Sequence, residues 1–273
     1  MKRSAAEILR EYGPFPGVDH VHGVTFDGQH VWFASGDKLN AFDPASGKVL
    51  RSIDVAADAG ATFDGQYLFQ IAGDRIQKID PTTGRVLATI PAPGGGGASG
   101  LAWAEGTLWV GQHQDRKIHQ VDPQTGVILR TIECNRFVTG VTWIDGELWH
   151  GSSEGGKSDL RRVDPRTGEV LERLEMPPGV GVSGLESDGG DQFFCGGGSS
   201  GKVRAVRRPR RGSAAGGGSE ISANSTSKQS KRPSSPAPGA GQAIATMAET
   251  NARGPHRPPR AAHPGAAPRC SPS

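Results

Sequence analysis

The stretch Val121-Asp122-Pro123-Gln124-Thr125-Gly126-Val127-Ile128-Leu129-Arg130-Thr131 decides the fold, because the chain repeats its pattern. Three further copies begin at Phe42, Ile79 and Val163, and each has Asp-Pro, two residues, Gly, one residue and two apolar residues. In such a motif the Asp side chain accepts hydrogen bonds from the following amides, Pro presets the turn, and Gly takes the left-handed position. We interpret the motif as a hairpin turn whose four Asp residues are structural caps.

Each hairpin motif is preceded by a Gly that opens an apolar-rich segment ending in an acidic-Gly turn. The opening glycines are Gly23, Gly60, Gly100, Gly140 and Gly184, separated by 37, 40, 40 and 44 residues. A repeat of roughly 40 to 50 residues is typical of a four-stranded propeller blade. The sequence therefore predicts an all-β fold, a five-bladed β-propeller built from four-stranded blades.

One large aromatic ring stands in the second predicted strand of every copy. These residues are Trp32, Phe69, Trp109, Trp149 and Phe194. Aromatic side chains in register on neighbouring sheets bury large areas against one another. We therefore expect this stripe to form core contacts between blades.

The fifth copy ends at Val203–Arg208 with neither the Asp-Pro turn nor a fourth strand. An open ring would expose two sheet edges, which invites aggregation. We predict that residues 6–12 form the missing outer strand, so that both termini close the last blade. The alternative is a short N-terminal helix with an unclosed or dimerised ring.

The composition changes abruptly near Pro209. All Trp, Tyr and Phe residues precede it, and residues 209–273 carry nine Lys/Arg against Glu220 and Glu249, a net charge of +7. Because such a segment has too little apolar surface to offset the entropy of ordering, we predict a propeller domain at 1–208 and a disordered basic tail at 209–273. Its repetitive Arg, Pro, Ala and Gly content is also compatible with out-of-frame translation after Arg208, which mass spectrometry of the native protein tests.

The remaining composition limits the function classes. Residues 1–208 carry a net charge of −4, so contact with nucleic acid is expected only through the basic tail. Cys134, Cys195 and Cys270 are odd in number without CxxC spacing, which indicates neither a disulfide framework nor a zinc site. With no apolar run typical of a signal peptide or membrane span, we expect a monomeric cytoplasmic protein without membrane contact.

With these residues in place, the chain resembles the plant-type glutaminyl-peptide cyclotransferase (glutamine cyclotransferase) propellers over roughly residues 12–208. The likeness is strongest in the first blade, where His22-Gly23-Val24 stands at that family's Gln-Gly-Leu. The second blade has Ala59 where the family usually has Glu. The resemblance implies a small-molecule or peptide-binding propeller with an acyltransferase activity that forms pyroglutamyl ends.

A looser resemblance links the repeats to streptogramin-lyase-like and quinoprotein-type propellers. The first implies, as an alternative, a lyase or lactonase assisted by a divalent metal. No other cofactor is expected, because Ile53, Ile90, Ile132 and Leu174 stand near the positions of the docking Trp in quinoprotein repeats. A non-catalytic interaction platform is a third possibility, since a fold does not fix a function.

Candidate site residues are those that break the repeat on the face where inter-blade loops gather. Glu186 stands where the other copies have Thr25, Thr62, Ala102 and Thr142, and burial would raise its pKa to suit proton transfer. We predict that it shares one mouth with the catalytic candidates His22 and His150. The predicted substrate-binding residues are His113, Asn135, Arg136, Trp103 and Trp143, and the segment 151–159 is predicted to be a lid.

Overall fold

Short strands joined by Gly- and Asp-containing turns form nearly all regular structure in the computed structural model, which describes residues 1–209. One short 3-10 helix, Pro93–Gly95, is the exception in this range. No helix among these residues is long and apolar enough to cross a membrane. The strands in chain order are β1 (Lys2–Ala5), β2 (Ile8–Tyr12), β3 (Val24–Phe26), β4 (Val31–Ala34), β5 (Gly36–Phe42), β6 (Val49–Ala57), β7 (Ala61–Phe63), β8 (Leu68–Ala72), β9 (Arg75–Ile79), β10 (Val86–Pro91), β11 (Ala98–Ala104), β12 (Thr107–Gln112), β13 (Lys117–Val121), β14 (Ile128–Glu133), β15 (Val141–Ile144), β16 (Glu147–Glu154), β17 (Lys157–Val163), β18 (Val170–Glu175), β19 (Gly184–Ser187), β20 (Gln192–Gly196) and β21 (Val203–Arg207).

These strands form five sheets, each with four antiparallel strands in a row, and the five sheets are the blades of a propeller. Blades 1 to 4 are β3–β6, β7–β10, β11–β14 and β15–β18, and blade 5 is β19–β21 completed by β2. The predicted five-bladed β-propeller is confirmed. The predicted tail lies, from residue 210 onward, outside the described residues.

The closure of the last blade by the N-terminal segment is also confirmed. Strand β2 pairs antiparallel with β21, with Tyr12 opposite Val203 and Ile8 opposite Val206. The sequence did not predict β1, which adds to the outer edge of blade 4 in parallel with β18. An ion pair of 3.1 Å between Lys2 Nζ and Glu172 Oε1 accompanies this pairing.

Each Asp-Pro motif forms the turn between the third and fourth strands of blades 1 to 4, with its Asp capping the turn. Asp122 Oδ1 accepts the amide hydrogen of Gln124 at 2.9 Å, and Asp164 Oδ1 accepts that of Arg166 at 2.7 Å. The motif glycine has a φ of 75–77° in all four copies. The interpretation of the motif as a structural turn is therefore confirmed.

The motif glycines serve a second purpose, since each lies against the outer strand of the preceding blade. A Cβ built on Gly168 would lie 2.5 Å from the carbonyl oxygen of Glu133, and one on Gly84 would lie 2.8 Å from Ile53 Cγ2. In blade 1 the neighbour of Gly47 is Tyr12 of β2, at 3.5 Å. Strand β2 thus occupies the place of an outer strand both within its sheet and against the next blade.

The aromatic stripe forms the core between blades, as predicted. Its five rings are at most 2% exposed. Trp109 stacks on Trp143 of the next blade with 5.3 Å between ring centroids, and Phe69 stacks on Trp103 at 5.6 Å. Inter-blade packing therefore accounts for these rings without a ligand.

The opening glycines form a ring that closes the propeller axis. A Cβ built on Gly140 would lie 2.3 Å from the backbone nitrogen of Leu185, and one on Gly184 would lie 2.8 Å from that of Val24. Neighbouring blades thus meet backbone to backbone, and the space inside the ring is too small for a water molecule. Only glycine permits this approach. We call these five residues the glycine ring.

Because the glycine ring leaves no space for a methyl group, Gly140→Ala should destabilise the fold. Overpacking a tight interior costs about 1–3 kcal/mol, and the clash here is with backbone atoms that cannot rotate away. Urea denaturation measures the change. Gly190→Ala is the matched control, since its methyl would meet only the Asp188 side chain, at 3.5 Å; equal stability of the two variants would contradict the tight ring.

Candidate functional site

The residue immediately before each glycine of the ring forms the floor of a pocket on one face of the propeller. The pocket has a volume of about 660 Å³. Because the glycine ring closes the axis beneath it, the pocket is a cup and not a channel. The five floor residues, one from each blade, are His22, Ala59, Ser99, Thr139 and Ser183.

Three imidazoles line this pocket. His20 and His22 lie in the segment between β2 and β3, and their ring centroids are 4.3 Å apart. His113 follows β12 and packs on Phe137 at 4.8 Å between centroids. Burial lowers the pKa of His22 and that of His113, and the neighbouring His20 lowers the pKa of His22 further. Both rings are therefore neutral near pH 7 and can accept or donate a proton.

Asp58, which lies beside Ala59, is the one acidic residue that lines the pocket in the described chain. Its two carboxylate oxygens accept the amide hydrogen of Gly73 at 3.1 and 3.2 Å. Neither Lys nor Arg is among the residues that line the pocket in the described part of the chain. A neutral or cationic ligand group fits this electrostatic setting better than an anion does.

Hydroxyl groups complete the floor. Ser99 Oγ donates to the carbonyl of Val138 at 2.7 Å, and Ser183 Oγ donates to that of Val21 at 2.5 Å. Thr139 is 7% exposed, and its Oγ1 has no hydrogen-bond partner among the described residues. This oxygen has no accessible surface, so it does not reach a molecule in the cup.

The structure does not bring Glu186 to this pocket. Glu186 lies on β19 two residues beyond Gly184, so the glycine ring separates it from the cup. Its carboxylate accepts hydrogen bonds from Thr142 Oγ1 at 2.5 Å, the Ser187 amide at 2.9 Å and Thr25 Oγ1 at 3.0 Å. Burial raises the pKa of Glu186 to about 7, although these hydrogen bonds act in the opposite direction. The prediction that Glu186 shares a mouth with the histidines is wrong.

His150 is not in the pocket either. It lies within β16, is 1% exposed, and its Nδ1 is 2.9 Å from the carbonyl oxygen of Gly151. Burial lowers the pKa of His150 to about 4. The alternation of β16 points this ring into the wall of the propeller, so His150 is a buried structural residue and not part of the mouth.

Asn135 and Arg136 are engaged in local contacts away from the cup. Asn135 Oδ1 accepts a hydrogen bond from Arg161. Arg136 donates to Ser152 Oγ at 3.1 Å and to the carbonyl of Glu154 at 2.6 Å. These bonds hold the hairpin of β16 and β17, which continue in register to their turn, so the predicted lid at residues 151–159 is a regular hairpin.

Trp103 and Trp143 lie between blades and not along the axis. Each stands three residues beyond its ring glycine, on the side opposite the pocket, and stacks on Phe69 or Trp109 respectively. The predicted substrate-binding residues therefore do not lie together. Among them, His113 alone lines the cup. Sequence reasoning missed Asp58 and the Gly197–Ser200 loop, although the position before each ring glycine would have located the floor.

A divalent metal does not fit the residues present. Within residues 1–209 no three His, Cys, Asp or Glu side chains are grouped as metal ligands. His20 and His22 lie close together, but a stable cation site needs further ligands at coordination distance.

The family described as outer membrane protein assembly factor BamB matches residues 72–237 of this chain. The chain belongs to this family. No curated protein matches it.

Solved structures extend the comparison at the level of the fold. Glutaminyl cyclase from Myxococcus xanthus is similar with a TM-score of 0.64 and 16% identity, over 76% of this chain and 97% of that chain. A chain of a mitotic checkpoint complex has a TM-score of 0.50 and 12% identity, over 74% of this chain and 91% of that chain. The predicted resemblance to glutaminyl cyclase propellers is therefore confirmed for the fold, and such low identities carry no information about activity.

Proposed function

We propose that this member of the assembly-factor family is a ligand-binding propeller whose cup takes a small polar molecule or the end of a peptide. The observation that carries the proposal is the cup itself: a concave site lined by three imidazoles and one carboxylate. Concave sites with a few convergent polar groups are where small ligands bind. The propeller walls hold these groups in place on strands and tight turns.

Within this proposal, cyclisation of glutaminyl peptides is the candidate reaction. The α-amine of an N-terminal glutamine attacks its own side-chain amide carbon, a C–N bond forms, and ammonia leaves with the proton that the amine loses. Asp58 would hold the amine, and the neutral His22 or His113 would carry the proton from the amine to the leaving nitrogen. The neutral state that burial gives the two imidazoles supports this candidate, because a neutral ring can take the proton from the amine.

The test is to incubate the full chain with a glutaminyl dipeptide at pH 7–8 and to follow ammonia. We expect turnover, and we expect His22→Ala to reduce it about 100-fold or more, as the loss of a general acid–base group does. His30→Gln is the matched control, because His30 lies outside the pocket and contacts Asp27 at 3.4 Å. Absence of ammonia at every pH would exclude the reaction. Binding of the dipeptide without turnover would then support a binding protein, and absence of binding would exclude the proposed function.

A second candidate is a non-catalytic interaction platform, favoured by the family description, which names an assembly factor. The cup would then serve no chemical step. In that case His22→Ala and His113→Ala would leave every interaction of the chain unchanged. A pull-down of a partner protein with the wild type and both variants tests this. Binding that both variants lose depends on the cup, and binding that both variants keep depends on another surface of the propeller.

A further inference from the structure

The segment that closes the ring also builds the pocket. We call residues 8–22 the strap; its first part is β2, and its last part carries His20 and His22. Strand β2 is the outer strand of blade 5, and His22 is the floor residue of blade 1. Closure of the ring and the supply of two of the three imidazoles therefore depend on one piece of chain.

Between these two parts the strap is anchored to the loop that forms one wall of the cup. Phe15 is 6% exposed and stacks on Phe33 with 4.5 Å between ring centroids. The amide of Val21 donates to the carbonyl of Gly198 at 3.0 Å, and that of Phe15 to the carbonyl of Gly201 at 3.3 Å. Gly198 itself lines the cup, so the strap fixes the imidazoles and this wall relative to each other.

Polar contacts clamp the other side of the strap onto blade 1. Arg10 Nη1 donates to the carbonyl oxygens of Pro44 and Ala45 at 2.9 and 2.8 Å, and the Tyr12 hydroxyl donates to that of Pro44 at 3.1 Å. Blades 1 and 2 are joined in the same manner, since Arg51 donates to the carbonyl of Thr82 at 3.0 Å. The contact between the strap and blade 1, which we call the seam, is thus of the same kind as the contact between blades 1 and 2. It joins blade 1 to blade 5, whose other strands are distant in sequence.

We propose that closure of the strap and occupancy of the cup are coupled. A ligand that contacts His20 and His22 binds the closed form only, so it stabilises the strap in place, and release of the strap removes both imidazoles from the cup. Arg10 and Tyr12 are then positioning residues for the two histidines. The ligand half of this coupling rests on the proposed function, whereas the positioning half does not.

The positioning half is tested by the reactivity of individual histidines. Diethylpyrocarbonate modifies accessible imidazoles, and mass spectrometry locates the modified rings. In Arg10→Ala/Tyr12→Phe we expect His20 and His22 to react faster than in the wild type, because release of the strap exposes fully two rings that are only half-exposed in the closed form. The rate at His113, which is held by other blades, should not change.

The matched control for this experiment is Arg51→Ala, which removes the equivalent contact between blades 1 and 2. It should leave the rates at His20 and His22 as in the wild type. An equal rise at His113 in a folded double variant, or an equal effect of Arg51→Ala, would overturn the positioning role. If the double variant unfolds, Tyr12→Phe alone is the test: we expect faster modification of His20 and His22 and an unchanged rate at His113.

The ligand half is tested by hydrogen exchange with a glutaminyl dipeptide as the probe. At a dipeptide concentration ten times Kd, opening of the strap should be suppressed about tenfold, so the amides of β2 should exchange about tenfold more slowly. The amides of β13, which lies in blade 3, are the internal reference. If the dipeptide shifts the His113 ring signals without slowing β2, the coupling is wrong and the proposed function stands. If it binds nowhere, the proposed function fails, and the modification rates decide whether the strap positions the histidines.

Discussion

Replacing Tyr12 with alanine should lower the free energy of unfolding by about 3–5 kcal/mol, the usual cost of deleting a buried aromatic ring. Tyr12 is 5% exposed, and its ring centroid lies 4.8 Å from that of Phe42 in blade 1 and 6.4 Å from that of Phe194 in blade 5. The side chain thus packs both blades that the strap joins. Its loss would weaken the seam on both sides.

The comparison that isolates this effect uses a second residue of the same strand. Leu9 is 39% exposed, so Leu9→Ala should cost less than about 1 kcal/mol. Chemical denaturation followed by tryptophan fluorescence measures both variants. Similar midpoints for Tyr12→Ala and the wild type would mean that the N-terminal segment does not close the ring.

The second large effect concerns Glu186 and the dependence of stability on pH. Because burial raises the pKa of Glu186 to about 7 from about 4.5, the folded state holds a proton that the unfolded state releases. The stabilisation by the protonated group is complete below about pH 4.5 and is lost as the pH rises through about 7. The difference between the two pKa values corresponds to about 3 kcal/mol.

Glu186→Gln should abolish this contribution. The variant should be more stable than the wild type above pH 7 and lose the decline in stability between about pH 4.5 and 7, which urea denaturation across that range measures. Glu105→Gln is the matched control, since Glu105 is an exposed carboxylate on the turn between β11 and β12. Parallel pH profiles for wild type and Glu186→Gln would show that this carboxyl is ionised throughout, with its three hydrogen bonds outweighing burial.

The fold could be predicted from the sequence because its determinants are local and repeated. The Asp122 turn and its three siblings set the spacing of the strands, and the missing turn after Val203 required an outer strand from elsewhere. The core between blades could be predicted from the aromatic stripe, because the stripe also recurs once in each copy of the repeat. Strand β1 could not be foreseen, because its edge pairing leaves all four residues exposed and thus gives no apolar pattern.

The site was predicted less well because it depends on which side of the glycine ring a side chain lies. His22 and Glu186 stand at positions −1 and +2 relative to their ring glycines, and three residues along a strand are about 10 Å. The sequence showed that both break the repeat, but not that Gly23 and Gly184 meet backbone to backbone between them. Asp58 also breaks the repeat, since Val21, Ala98, Val138 and Val182 stand two residues before the other ring glycines, but it lies outside the strands, to which the comparison of the copies was confined.

The central claim is that the cup formed by His20, His22 and His113 binds a small polar molecule or a peptide end. NMR spectra of the histidine ring protons, recorded while a glutaminyl dipeptide is added to the full chain, test it directly. We expect saturable shifts at these three rings with one common Kd, while His30 and His119, which lie outside the cup, stay unchanged. Unchanged spectra at millimolar dipeptide, or shifts confined to rings outside the cup, would contradict the account.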